Sequence, residues 1–241
     1  KKNAEFRPHY AKHQEDTRVV PTLDRVMYQE KAFSEEECES WYNYLLEQEP
    51  ILFDKHRIPA GDAGTGLGPN SLTSRYPYFN ILDFDFHLIP KLKTEIFNGI
   101  KTILSVSDNT AWQETLHANC WFNVSRQGEN MNAHSHGYEK YSLYGFHLTV
   151  SAIETFTSYY HPIKFQDAAF HVPNKIGYLT LFPNYIPHSV SRNRYETPRI
   201  SIAGDVNAST WLDQKIQPSF MNKNYVKIGT YNGNNELQET K

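Results

Sequence analysis

The sequence predicts a mainly β protein with N-terminal helices, whose short antiparallel strands close into a double-stranded β-helix, a jelly-roll barrel. Two observations favour this fold. Helical periodicity is confined to the chain before residue 110, and from Thr115 onward the sequence consists of short aromatic and β-branched runs broken by Gly, Pro and Asn. Helices followed by strands is the order expected when helices pack on one sheet of a barrel.

The chain of 241 residues suits a single catalytic domain, because all-β barrels often reach this length undivided. Its content of 39% hydrophobic and 14% aromatic residues is enough to build a core and line a pocket. The predicted divisions are an N-terminal arm, a helical support region, the barrel core and a polar C-terminal tail that frays, at residues 1–30, 31–114, 115–207 and 208–241.

Charge and cysteine content limit the expected partners. The 24 Lys and Arg against 27 Asp and Glu give a net charge of -3, which indicates neither nucleic acid nor an anionic membrane as a partner. Cys38 and Cys120 are the two cysteines, so no disulfide framework is expected and a reducing cytoplasm fits. No apolar run approaches the ~20 residues that span a bilayer. We therefore expect a small-molecule or peptide substrate, and the oligomeric state stays open.

The first helix is predicted to begin at Ser34. Ser34 and Glu37 form a capping box, and acidic residues fill the first turn, where the helix dipole favours them. The helix is expected to end at Pro50. Its core-facing residues recur at helical spacing: Cys38, Trp41, Leu45 and Leu46.

A glycine-dense stretch separates this helix from a second one, predicted over about 88–105 from its apolar periodicity. Residues 61–70 (GDAGTGLGPN) lack the Gly-Lys-Ser/Thr ending of a phosphate loop, so we interpret them as a mobile loop and a candidate lid over the pocket. Strands are predicted at about 117–125, 133–137, 142–153, 163–171, 177–182, 187–191 and 199–206.

The histidine pair His134 and His136 carries the clearest functional signal. On an extended strand these two side chains face the same way, because side chains alternate along the strand. His188 follows 52 residues after His136 and can complete a facial metal site. Arg199 and Ser201 come next, and both side chains can donate to carboxylate oxygens. This layout indicates a mononuclear non-haem iron enzyme that also binds an organic carboxylate.

Other polar and aromatic residues give weaker signals. Trp121 and Asn123 alternate on one predicted strand, so both are candidates to face the pocket and contact the substrate. The loops at 55–75 and 154–176 are expected to set substrate choice. Four further histidines are interpreted as surface or hydrogen-bonded core residues, and two tyrosines as weak candidates to contact the carboxylate: His87, His147, His161, His171, Tyr141 and Tyr144.

A family resemblance is carried by five stretches of the sequence: 119–128 (NCWFNVSRQG), 134–136 (HSH), 145–148 (GFHL), 177–188 (GYLTLFPNYIPH) and 198–201 (PRIS). Together they make residues 117–207 resemble the Fe(II)/2-oxoglutarate-dependent oxygenases, in particular the prolyl-hydroxylase-like group of phages and marine bacteria. The opening of the first helix, at 33–38, also resembles that family. The rest of the N-terminal half is only weakly similar.

The resemblance implies roles for four residues. His134 and His188 would be iron ligands, Arg199 would pair with the distal carboxylate of 2-oxoglutarate, and Ser201 would be a second donor to it. The implied cofactors are Fe(II), 2-oxoglutarate and O2. Three protein ligands leave three positions on Fe(II), two for the 2-oxo acid and one for O2. The implied activity is oxidation, with hydroxylation the leading expectation, of a C–H bond in a small molecule, amino acid or peptidyl side chain, with release of succinate and CO2.

His136 departs from the family pattern, which has Asp or Glu at that position. Three interpretations are open: direct coordination by His136, a position left to water or halide, or a carboxylate such as Glu139 or Asp205 that reaches the metal. We favour direct coordination, because strand alternation aims His136 with His134. Replacing a carboxylate by neutral imidazole raises the net charge of the site by one and should raise the reduction potential of the iron.

The alternative function is a cupin-type protein, with the same cupin-like barrel and a metal but no 2-oxoglutarate: a dioxygenase, an isomerase or a binding module. Gly177, Pro183 and His188 are spaced as in the second cupin motif. Against this interpretation, Glu139 is badly placed for the first-motif glutamate, and Arg199 would have no role. A third class is a non-catalytic barrel that binds a partner through its aromatic surface.

Overall fold

The computed structural model describes residues 18–22, 25–58, 61–62, 64–106, 113–136, 144–161, 168–209 and 225–232. Two helices precede the barrel, α1 (Glu35–Lys55) and α2 (Ile89–Val106), with two 3-10 segments between them, at Thr73–Tyr78 and Ile81–Asp83. Neither helix is long and apolar enough to cross a membrane.

The described residues also form these strands: β1 (Arg18–Thr22), β2 (Arg25–Lys31), β3 (Gln113–Ser125), β4 (Met131–His134), β5 (Tyr144–Ser151), β6 (Phe156–Tyr160), β7 (Ala168–Pro173), β8 (Tyr178–Pro183), β9 (His188–Val190), β10 (Arg199–Ala208) and β11 (Val226–Asn232).

The strands build two antiparallel sheets. The large sheet has the order β1-β2-β8-β5-β10-β3-β11, and the small sheet has the order β4-β9-β6-β7. From β3 to β10 the chain passes repeatedly between the two sheets, so that β3, β5, β8 and β10 lie in one and β4, β6, β7 and β9 in the other. This is the strand arrangement of a jelly roll. The predicted mainly β, double-stranded β-helix fold is confirmed.

The helices pack against the large sheet, where α1 contacts β5 and α2 contacts β2, β8 and β11. Strand β10 is buried along its whole length. Its two faces meet different environments. Ile200, Ile202 and Val206 belong to the apolar core that contains the helix stripes. The alternate residues, among them Arg199 and Asp205, line the barrel cavity. Period-two alternation therefore separates core from site along one strand.

The predicted start of the first helix is confirmed. Ser34 Oγ accepts from the backbone N–H of Glu37 at 3.2 Å, and the Glu37 carboxylate accepts from the backbone N–H of Ser34 at 2.8 Å. The expected end at Pro50 is wrong, since α1 continues to Lys55 with Pro50 inside it. Leu52, beyond the proline, is 4% exposed. The packing of that last turn compensates for the free energy lost with the one backbone hydrogen bond that proline cannot donate.

The chain termini contribute more to the barrel than the sequence predicts. Part of the N-terminal arm forms β1 and β2, and Tyr28 of β2 lies opposite Leu181 of β8. Part of the predicted fraying tail forms β11, with Thr230 opposite Thr115 of β3. The segment 154–176, expected to be largely loop, contains all of β6 as well as β7. These additions extend the sheets without changing the predicted fold class.

Candidate metal centre and anion pocket

The three predicted histidines converge on one site. His134 ends β4 and lies opposite His188, the first residue of β9. His136 follows just beyond β4, and its ring stacks near that of His134, with centroids 5.6 Å apart and planes 16° apart. One ring nitrogen of each histidine lies within 4.8 Å of the others. The small sheet thus presents three imidazoles to the barrel interior.

Hydrogen bonds fix the same tautomer in all three rings. His134 Nδ1 lies 2.8 Å from the carbonyl oxygen of Asn132, and His188 Nδ1 lies 3.2 Å from that of Ile186. His136 Nδ1 lies 2.7 Å from a carboxylate oxygen of Asp205. Because these oxygens only accept, each Nδ1 carries the hydrogen, and each Nε2 keeps a lone pair. This donor set is what a divalent transition metal requires of histidine.

Burial favours the neutral form of two of these imidazoles, those of His134 and His188. It lowers the pKa of His134 to about 4, with a further contribution from His136. It lowers the pKa of His188 well below the usual value, and the neighbouring histidines add to the effect. Neutral imidazole is the metal-binding form, so these two rings need lose no proton near neutral pH to bind a metal.

Arg199 is a buried cation without a counter-ion among the described residues. It opens β10 and is 2% exposed. Its Nη1 donates to Ser201 Oγ at 3.4 Å, and its Nε has no partner in the described part of the chain. Burial lowers the pKa of Arg199 to about 10, so the guanidinium is charged at neutral pH. A buried charge is costly unless it is paired, which indicates that this cavity takes an anion.

A chain of hydrogen bonds leads away from Arg199. Ser201 Oγ accepts from Asn123 Nδ2 at 3.3 Å, and Asn123 Oδ1 accepts from the Thr73 hydroxyl at 2.7 Å. Ser201 Oγ thus accepts from both Arg199 and Asn123, which leaves its own hydrogen free to donate into the cavity.

Trp121 and Asn123 both line the cavity, as their alternation on β3 predicts. The Trp121 ring lies 5.6 Å from the His136 ring and 5.0 Å from the ring of Tyr76. These aromatic rings form an apolar wall beside the histidines. The same cavity contains His134, His188 and Arg199, so the histidine cluster and the cation share one space.

His147 is a site residue that the sequence interpretation assigned to the ordinary core. It lies on β5 opposite Ala203 of β10, and it lines the cavity. Its Nε2 lies 2.8 Å from the Tyr159 hydroxyl, and its Nδ1 has no partner among the described residues. Burial, and then Arg199, lower the pKa of His147 to about 3. Alternation on β5 carries the signal, but only the pairing of β5 with β10 shows which face meets the cavity.

The weaker sequence candidates lie elsewhere or outside the described residues. Tyr144 belongs to the apolar core. Tyr141 and Glu139 fall outside the described residues. Asp205, considered as a possible metal ligand, lies behind His136 at hydrogen-bond distance from its Nδ1. The structure therefore assigns it a contact with the ring rather than a place in the three-histidine cluster.

The glycine-dense stretch borders the site. Thr65 lines the cavity, and its carbonyl accepts from the backbone N–H of Asn132 on β4 at 2.7 Å. The Asp62 carboxylate accepts from the backbone N–H groups of Gly64 and Gly68 at 3.0 and 3.2 Å. These contacts join the glycine-dense stretch to β4, the strand that carries His134. They are consistent with the expected position of this stretch at the pocket. Its mobility stays a prediction.

Comparisons with known proteins give matches only among solved structures. No known family model and no curated protein sequence matches the chain. Among solved structures it is similar to a Pseudomonas putida prolyl-4-hydroxylase, with 10% identity over 75% of this chain and 91% of that one and a TM-score of 0.45.

Two further similar structures are enzymes of nogalamycin biosynthesis. The α-ketoglutarate-dependent carbocyclase SnoK has 10% identity over 76% of this chain and 79% of that one, with a TM-score of 0.48. The epimerase SnoN, in complex with Fe3+, α-ketoglutarate and nogalamycin RO, has 12% identity over 80% and 87%, with a TM-score of 0.44. Similarity this low supports no function for the present chain.

Proposed function

We propose that the protein is an Fe(II)/2-oxoglutarate-dependent oxygenase. It would oxidise a C–H bond of a small molecule, amino acid or peptidyl side chain, with hydroxylation the leading outcome and succinate and CO2 the co-products. One observation carries the proposal: three imidazoles whose Nε2 atoms converge share a cavity with the buried guanidinium of Arg199, which has no counter-ion among the described residues. The three imidazoles suit a metal ion, and the guanidinium suits the distal carboxylate of an organic dianion.

The metal would be held by His134, His136 and His188 through Nε2. The residues fit Fe(II), because three imidazoles are ligands that iron accepts and each ring is oriented by a hydrogen bond at Nδ1. When bound, Fe(II) supplies positions for a 2-oxo acid and O2 and the redox chemistry of the reaction. The chain itself fixes the ligand rings.

The distal carboxylate of 2-oxoglutarate would be recognised by Arg199 and Ser201. A guanidinium donates two parallel hydrogen bonds to a carboxylate, and the Ser201 hydroxyl is oriented to add a third. His147 can contribute a donor from the neighbouring strand, since a Tyr159 hydroxyl that donates to Nε2 leaves the hydrogen on Nδ1. The carboxylate would replace the missing partners of two buried groups.

The substrate would enter the part of the cavity that Arg199 does not occupy. Thr65, Thr73 and Met131 line the cavity together with Trp121 and Asn123. Apolar and aromatic walls exclude water from the reacting centre, while the hydroxyl and amide groups can orient a polar substrate. Two of these residues belong to segment 55–75, where the sequence predicts control of substrate choice.

The cupin-type alternative finds no specific support in the site. It requires a metal but gives no role to the buried cation of Arg199 or to the hydrogen-bond chain behind Ser201. Its first-motif glutamate would have to be Glu139, which lies outside the described residues. Binding of 2-oxoglutarate separates the two functions.

The decisive experiment compares Arg199→Ala with the wild-type protein. Calorimetry under anaerobic conditions measures the binding of Fe(II) and then of 2-oxoglutarate. Leaving a carboxylate without its cation in a buried site costs about 3–5 kcal/mol, which corresponds to a loss of about two to four decades in 2-oxoglutarate affinity. Iron binding should be unchanged, because Arg199 holds none of the ligand rings.

Arg126→Ala is the matched control. That arginine pairs with Glu49 at 2.7 Å and does not line the cavity, so its loss should leave 2-oxoglutarate affinity unchanged. Undiminished 2-oxoglutarate affinity in Arg199→Ala would favour the cupin-type alternative. A wild-type protein that binds neither ligand would refute the proposal as a whole.

A further inference from the structure

His136 occupies the position where the resembled family has a carboxylate ligand. Three neutral imidazoles alone would leave the metal site one negative charge short of a two-histidine, one-carboxylate site. The three rings are not equivalent, however. The Nδ1 atoms of His134 and His188 donate hydrogen bonds to neutral backbone carbonyls, whereas Nδ1 of His136 donates to the carboxylate of Asp205.

The contact between Asp205 and His136 is short and enclosed. Nδ1 of His136 lies 2.7 Å from Oδ1 of Asp205, and the two side chains are 7% and 12% exposed. The backbone of the same residue is held as well, since the His136 N–H donates to the Asn184 carbonyl at 3.1 Å. The contact joins the segment just after β4 to β10, across 69 residues of sequence.

Asp205 itself is rigidly placed. It lies within β10, with Asn119 of β3 opposite on one side and Gly145 of β5 on the other. Pairing on both sides fixes the backbone that carries this carboxylate, and little of the side chain is exposed. The position of Asp205 therefore determines where the His136 ring points.

The charge of Asp205 has no other partner among the described residues. No described lysine or arginine pairs with it. Its other titratable neighbours are Tyr76, Cys120, Tyr225 and His134. Burial raises the pKa of the first three, so that they are uncharged at neutral pH. Burial lowers the pKa of His134 to about 4 despite the opposing effect of Asp205, and no hydrogen bond joins these two residues among the described contacts.

We propose that Asp205 is the positioning residue of the metal centre, which supplies through His136 the negative charge that a carboxylate ligand would supply directly. It holds His136 with the hydrogen on Nδ1 and aims Nε2 at the other two rings. Three neutral imidazoles and one outer carboxylate carry the same total charge as two imidazoles and a carboxylate ligand. The inference rests on the proposed function in that it takes the three histidines to be metal ligands.

The test measures metal affinity rather than turnover. Zn(II) is the probe, because it binds nitrogen sites more tightly than Fe(II) and keeps weakened variants within range. Loss of an outer-shell partner typically weakens metal binding 10–100-fold. We expect Asp205→Asn, which keeps an acceptor but removes the charge, to weaken Zn(II) binding about 10-fold, and Asp205→Ala to approach the 100-fold loss.

The matched control is Glu114→Gln, the same loss of charge at a buried carboxylate of β3 outside the cavity. Its Zn(II) affinity should equal that of the wild type. Melting temperatures show that each variant is folded, and Asp205→Asn keeps its side-chain volume if Asp205→Ala does not fold.

A double-variant cycle distinguishes action through His136 from a general structural role. In a His136→Ala background, Asp205→Asn should have no further effect on Zn(II) affinity, because its ring partner is gone. Equal losses in both backgrounds, or no loss in the wild-type background, would overturn the inference while leaving the proposed function intact. A wild-type protein that binds no metal would overturn both.

Discussion

At the residue scale, substitution of each proposed metal ligand tests a different part of the proposed iron site. His134→Ala and His188→Ala each remove one ring of the facing pair on β4 and β9, so both variants should lose stoichiometric iron after anaerobic loading. His136→Ala should also bind iron poorly if His136 coordinates directly. Metal analysis of the desalted proteins measures this.

The control for these variants is His171→Ala. His171 is exposed and lies 2.8 Å from the Ser158 hydroxyl, away from the cavity. It should retain all its iron. Full iron in His134→Ala or His188→Ala would refute that assignment, whereas full iron in His136→Ala would refute only the three-histidine arrangement.

The sequence predicts those side chains of the site that follow from local rules. Alternation along a strand and position on the next strand pointed to His134, His188 and Arg199, and the structure brings these residues into one cavity. It could not predict that Asp205 meets His136, since that contact depends on how two sheets face each other. The same limit applies to His147.

At the element scale, Gly177 determines how α1 joins the barrel. Its φ of +82° belongs to the left-handed region, and an added Cβ would collide with the backbone carbonyl of Phe33. Its own carbonyl accepts from Ala32 and Phe33 N–H groups at 2.8 and 3.1 Å. Gly177→Ala should therefore lower the free energy of unfolding by about 2–5 kcal/mol, from backbone strain and overpacking together. Urea unfolding measures the loss.

Gly128→Ala separates the two causes. Gly128 has a φ of +88°, but no atom lies within 4 Å of an added Cβ. Only the conformational cost, about 1–2 kcal/mol, should appear in this variant. Equal destabilisation of the two variants would contradict a steric role for the Gly177 contact.

Elements with strong local signals are predicted well, and those at the sheet margins are not. The capping box predicts the start of α1, and apolar periodicity predicts α2. Strands β1 and β11 lie at the two edges of the large sheet. An edge strand has one pairing neighbour and less burial, so its sequence shows little alternation. Such strands are defined by the partner they join rather than by their own pattern.

At the scale of the whole molecule, the buried histidines should make the metal-free protein sensitive to mild acid. The pKa values of His134 and His147 are lowered to about 4 and about 3 in the folded state. The unfolded chain takes up protons at these groups below about pH 6.5, while the folded chain does not. The contribution of these histidines to the free energy of unfolding is thus full above about pH 6.5. It is lost as the pH falls toward their folded-state pKa values.

The expected loss between pH 7 and pH 5 is about 2 kcal/mol for each such histidine. Urea unfolding in the presence of a chelator, at pH 7, 6 and 5, measures it. His147→Gln should have a shallower pH dependence than the wild type, because one of the groups is removed. A pH-independent stability across this range would contradict the neutral, buried state of these rings.

The two walls of the cavity differ in what lies behind them. The wall that carries Arg199, Ser201 and Asp205 belongs to β10, whose ten residues are all buried under the helices and between neighbouring strands. The wall that carries His134 belongs to β4, where Asn132 and Ala133 are exposed. Substitutions behind the first wall disturb a packed core, whereas those behind the second meet solvent. If the proposed function holds, we expect inherited change to accumulate on the small sheet and reshape the mouth of the cavity. The proposed anion anchor would stay constant, and the same barrel could then accept new substrates.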